Sequence, residues 1–139
     1  MPTSTELLLK YPHMFPRDVE IWERFLQSFE SDYAQFKYDI KVGVGTKDIE
    51  GRDDVYARAQ EILSKYRIDA VGFKINERHI IEVKPQATTS GIGQVMVYKE
   101  LYERDFDPSL PVIPMIVTDY EMPDMRYLTR QLGIQYIVV

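Results

Sequence analysis

The chain has 139 residues, 45% of them apolar and 28% charged, which suits one globular domain over residues 1–139; disorder is not the default reading, and no low-complexity segment stands out. It has no cysteine, which excludes a disulfide scaffold, a Cys-ligated zinc centre and a thiol nucleophile. The net charge of −5 argues against a protein that coats nucleic acid through a broad basic face, but not against an enzyme that holds metal with acidic residues.

In chain order, residues 5–16 (TELLLKYPHMFP) hold three consecutive leucines, too few for a secretory or membrane segment, so a cytoplasmic, membrane-free protein is expected. Asp18 can cap a helix reaching about Ser31, with Val19, Trp22, Leu26 and Phe29 at helical spacing. QFKYDIKVGVG alternates as a strand and ends in Gly43 and Gly45. The following GVGTKDIEG lacks full P-loop spacing and reads as a loop that could border a groove. DDVYARAQEILSKY is strongly amphipathic, with Val55, Ala59, Ile62, Leu63 and Tyr66 on one face. Strands follow at about 67–74 and 79–84, then a helix from a Ser90 cap to about Arg104. PVIPMIVTD is a short buried strand in which Pro114 hints at an edge or a bulge. DMRYLTRQLG is a helix closed by Gly133, and IQYIVV a last strand. This order predicts an α/β fold, a mixed sheet with helices on both faces.

The two middle strands read as a hairpin turning at Asn76-Glu77. A symmetric, even-numbered loop sets Asp69 opposite Lys84, Val71 opposite Glu82 and Phe73 opposite Ile80. Period-two alternation then puts Asp69, Glu82 and Lys84 on one face, with Ile81 and Val83 turned to the core. Asp69 and Glu82 become diagonal neighbours at roughly 7–8 Å or less, within reach of one hard divalent cation. A Glu-x-Lys pair alone is usually a solvated ion pair, and a strand Asp can simply guard an edge. The next helix adds Gln94 and Tyr98, at i and i+4 on one helix face, and the combination is more specific.

Asp69, the Glu82-Val83-Lys84 run and the QVMVY segment together resemble the PD-(D/E)XK nuclease superfamily. Gln-x-x-x-Tyr resembles its RecB-like and lambda-exonuclease-like branch, and small phage-encoded nucleases. The resemblance covers residues 67–98. It implies a restriction-endonuclease-like αβββαβ core, with DDVYARAQEILSKY inserted after the first strand and a C-terminal αβ extension. The proline that often precedes the family's Asp is absent, since Ile68 stands there. Carried over, Asp69, Glu82 and the Val83 carbonyl become metal ligands, for Mg²⁺ with Mn²⁺ substituting. Lys84 holds or activates the attacking water and meets the phosphate. Gln94 and Tyr98 steady the site or the nucleic-acid strand. The family often adds a first-helix acid, here Glu23 in preference to Glu20. The implied activity is metal-dependent hydrolysis of phosphodiester bonds, most readily in DNA, by an endo- or exonuclease of a prokaryotic or phage-infected cell, with homo-oligomerisation open. The alternative is a nuclease-fold module that binds nucleic acid or serves phage assembly without cleaving.

Other features read as structural. His13 and His79 are taken as surface residues, Thr88-Thr89-Ser90 as a cap and not a nucleophile, Asp119, Glu121 and Asp124 as loop and cap residues, and Tyr102 as packing.

Overall fold

The computed structural model describes residues 3, 6, 10–46 and 54–139. Leu7–Leu9 and residues 47–51 of GVGTKDIEG, both read above, lie outside them. The chain forms α1 (Pro16–Phe29), a 3-10 turn (Glu30–Asp32), β1 (Gln35–Val42), α2 (Val55–Leu63), β2 (Tyr66–Phe73) and β3 (Arg78–Val83). It continues with α3 (Thr89–Phe106), β4 (Val112–Thr118), α4 (Met125–Gln131) and β5 (Gln135–Val138). The strands make one five-stranded sheet in the order β1-β2-β3-β4-β5. The first two pairings are antiparallel, and β3–β4 and β4–β5 are parallel. Helices cover both faces of this mixed sheet, as expected.

One layer packs α1 on the sheet: Val19, Ile21, Trp22 and Phe25 bury against Ala70, Ile81, Val83, Met115 and Val117. The other packs α3 and α4 against Val71, Ile80, Val112 and Ile116 through Val95, Tyr98, Tyr102 and Met125. Tyr102 belongs to this packing, with Phe106 stacked on it at 4.7 Å.

β1 and β2 change sides partway along. Phe36, Tyr38 and Ala70 pack in the α1 layer, whereas Ile40, Val42 and Ile68 pack in the α3 layer. Strict alternation would keep all these even-numbered residues on one face. The change occurs at Asp39, whose φ of +54° twists the backbone, and the β1–β2 ladder skips the Asp39–Asp69 step. Arg67 anchors Asp39 with two hydrogen bonds, of 2.6 and 2.7 Å. Burial raises the Asp39 carboxyl, but the guanidinium outweighs it and holds the group below its ordinary value.

Several local expectations need correction. α1 starts at Pro16, pre-set for the first helical position, and Asp18 sits in the first turn, where it accepts the Phe15 N–H at 3.1 Å. The cap position of α3 is Thr88, not Ser90. α2 forms, held by the Asp54 carboxylate on the Ala57 N–H at 2.9 Å, but Ala57 is the residue it buries. Val55, Ile62, Leu63 and Tyr66 remain exposed, so its apolar face is not a core face. β4 lies inside the sheet; Pro114 is tolerated because it registers with Ile80 on one side, while the β5 ladder begins only at Met115. His79 is 2% exposed, not a surface residue, and its Nδ1 lies 2.7 Å from the Tyr33 hydroxyl.

Candidate active site

The β2–β3 hairpin holds the centre of the site. Its register is shifted by two residues from the expected one, with Phe73 paired to Arg78 and Ala70 to Ile81. The turn therefore centres one residue earlier, on Ile75-Asn76, closed by Lys74 N–H donating to the Glu77 carbonyl at 3.0 Å. A shift of two preserves faces, where a shift of one would have reversed them. Continuing this register sets Asp69 against Glu82 directly, not diagonally.

The β2–β3 ladder ends at Ala70–Ile81, while β3 continues beside β4 through Glu82–Ile116 and Val83–Val117. The sheet thus forks at Asp69 and Glu82. Asp69 bridges the fork: its Oδ2 accepts the Val83 N–H at 2.9 Å. Lys84 Nζ lies 4.0 Å from Glu82 Oε2, and the Lys84 N–H donates to the Val117 carbonyl at 2.9 Å. Gly91 in the first turn of α3 leaves room for the Lys84 stem, since a Cβ there would meet its Cδ at 3.2 Å.

A cleft of about 490 Å³ opens over the fork. Asp69, Glu82, Val83, Lys84, Gln94 and Tyr98 all line it, so the residues singled out on three separate elements converge. Glu23 does not line it; it accepts a hydrogen bond from the Tyr11 hydroxyl at 3.0 Å. Glu20, the other candidate, is not among the lining residues either. The first-helix acid at the cleft is Asp18. Sequence reasoning assigned Asp18 to the cap position; it sits instead in the first turn, holding the Phe15 N–H, and the same carboxylate lines the cleft. The available signal was an acid two residues after Pro16, five ahead of Glu23. His13, read as a surface residue, also lines the cleft.

The two central carboxylates are 7% and 4% exposed. Burial is the main force raising Asp69, opposed by the Val83 N–H and reinforced by the charge of Asp18. Glu82 is raised by burial and then by the charge of Asp69, against the pull of Lys84. Asp18 is raised by burial, partly offset by the Phe15 N–H and Lys84. Tyr98 is pushed up to about 12 by burial and by the charges of Glu82 and Asp69, so its hydroxyl stays a donor at neutral pH. Glu82 Oε1 and Gln94 Oε1 are buried acceptors with no hydrogen-bond partner. Two buried acceptors without donors, beside carboxylates that burial disfavours as anions, form an oxygen-rich site short of positive charge. A hard divalent cation fits that donor set. Among the described residues no three His, Cys, Asp or Glu side chains group closely enough to hold a metal.

Comparison of the chain with protein-family models, with curated proteins and with solved structures found no match. The fold and site define an α/β domain whose forked mixed sheet buries paired carboxylates beneath a cleft. No helix among the described residues is long and apolar enough to cross a membrane.

Proposed function

We propose that this protein is a metal-dependent nuclease of the restriction-endonuclease-like type, hydrolysing phosphodiester bonds in DNA. The observation that carries this reading is the fork, where Asp69 and Glu82 lie buried side by side with Lys84 Nζ 4.0 Å from Glu82. The convergence of Gln94 and Tyr98 on the same cleft supports it. A purely structural ion pair accounts for Glu82 Oε2 and Lys84 but leaves the buried Glu82 Oε1 and Gln94 Oε1 without a donor.

Asp69, Glu82 and the Val83 carbonyl would hold Mg²⁺, with Asp18 and the Gln94 amide oxygen facing the same space. When bound, the cation neutralises phosphate charge, lowers the pKa of the attacking water and stabilises the leaving oxygen. Lys84 orients the water and places a fixed positive charge where negative charge develops on the phosphoryl oxygens. Tyr98, held protonated, donates to the strand or to a carboxylate. The water oxygen bonds to phosphorus, one P–O bond breaks, and the products are a phosphomonoester and a hydroxyl. The water's two protons go to solvent and to the leaving oxygen.

The test is incubation of labelled single- and double-stranded DNA with Mg²⁺, Mn²⁺ or EDTA. Wild type is expected to cleave with metal and not with EDTA. Lys84→Met is expected to retain metal binding and lose cleavage by a factor on the order of 10²–10³. Equal cleavage by Lys84→Met would remove Lys84 from the chemistry. A wild type inert under every metal but still binding DNA would instead make the chain a nuclease-fold binding module.

A further inference from the structure

We infer that Phe15 and Arg17, on the α1 side of the cleft mouth, grip an unpaired nucleotide beside the scissile phosphate, which makes single-stranded DNA the preferred substrate. This rests on the nuclease reading above. Phe15 lines the cleft yet is 76% exposed, a large aromatic left in water at the mouth of a polar site. Its backbone is fixed on both sides. The N–H donates to Asp18 at 3.1 Å, the carbonyl accepts the Val19 N–H at 3.0 Å, and Pro16 confines it to the extended region it occupies. A ring carried on so rigid a backbone loses little freedom when a flat partner stacks on it.

Arg17 also lines the cleft, with its side chain 64% exposed. It lies 3.2 Å from Asp119 Oδ2, and Arg24 approaches the same oxygen at 3.4 Å. Arg17 shares Asp119 with Arg24 and so keeps an exposed guanidinium at the mouth, beside Asp18 on the same wall, within reach of a phosphate. Across the cleft Tyr98 carries the ring of Tyr66 against it at 5.8 Å. The acids at the floor are almost fully buried, so a phosphate reaches them only by descending below the mouth. A stiff duplex resists that bend, whereas a single strand follows it and regains lost stacking on an aromatic platform. The volume of about 490 Å³ is that of a small-molecule pocket, suited to one nucleotide.

The experiment measures binding of labelled oligo-dT and of a duplex of equal length in EDTA, then their cleavage with Mg²⁺. Phe15→Ala is expected to weaken oligo-dT binding by roughly 5- to 100-fold and leave duplex binding unchanged. Phe15→Trp is expected to keep wild-type affinity, and both variants to melt with wild type because the ring is exposed. Arg17→Gln is expected to reduce the slope of log affinity against log salt by about 1. Wild type that cleaves while Phe15→Ala binds and cleaves oligo-dT equally well would overturn this inference and leave the nuclease reading standing, as would equal cleavage of single strand and duplex by wild type. A wild type that neither binds nor cleaves nucleic acid overturns both.

Discussion

Asp69 and Glu82 show how little separates a structural residue from a chemical one. Each carboxylate is buried, with partial compensation: the Val83 N–H and the Lys84 charge for Asp69, the Lys84 charge and the Asp69 backbone for Glu82. His79 is a buried titratable group of another kind. Burial holds its imidazole below the ordinary value although Glu77 Oε2 lies 3.2 Å from Nε2; that nitrogen has no aligned hydrogen bond, so desolvation outweighs the charge. Folded His79 is therefore neutral where the unfolded chain already takes up a proton. Its stabilising contribution is complete above about pH 6.5 and is lost as pH falls through the depressed folded value. The expected outcome is that the difference in melting temperature between wild type and His79→Gln shrinks as pH is lowered from 7.5 to 5. A difference that grew on acidification would mean that a charged His79–Glu77 pair dominates instead.

At the scale of elements, the fork between β2 and β3 and the first turn of α3 set the position of Lys84 together. Gly91 packs on the Lys84 stem, where a Cβ would lie 3.2 Å from Cδ and 3.4 Å from Cε. Alanine there favours the helix by about 0.5–1 kcal/mol yet presses on the side chain that carries the ammonium. Gly91→Ala is accordingly expected to melt no lower than wild type while cleavage falls roughly 3- to 10-fold through displacement of Lys84. Activity equal to wild type in that variant would show that the lysine head is positioned independently of α3.

For the whole molecule, the cleft gathers three carboxyls, Asp18, Asp69 and Glu82, in a chain already at −5. Two adjacent raised carboxyls disfavour the metal-free folded state near neutral pH, and a cation that binds only the folded chain reverses this. At a concentration about 100 times Kd the gain is about 2.7 kcal/mol, and a chain of this size gains roughly 2–4 °C per kcal/mol. Mg²⁺ or Mn²⁺ is thus expected to raise the melting temperature by roughly 5–10 °C, and Glu82→Gln to abolish most of that rise. An equal rise in the variant would place the metal elsewhere.

The order of elements, the two-faced sheet and the convergence of Asp69, Glu82, Lys84, Gln94 and Tyr98 were legible from residue order alone. Alternation and helical spacing are local, and a two-residue error in hairpin register leaves every side chain on its face. What tertiary structure decided is non-local. Whether the apolar stripe of α2 meets a core depends on what lies beside it, and Val55, Ile62 and Leu63 meet water. Nothing in the composition around His79 reports that Tyr33 folds over it. Asp18 and Glu23 are both acids on one helix, and only the early start at Pro16 and the packing of Trp22 and Phe25 on the sheet direct Asp18, not Glu23, to the fork.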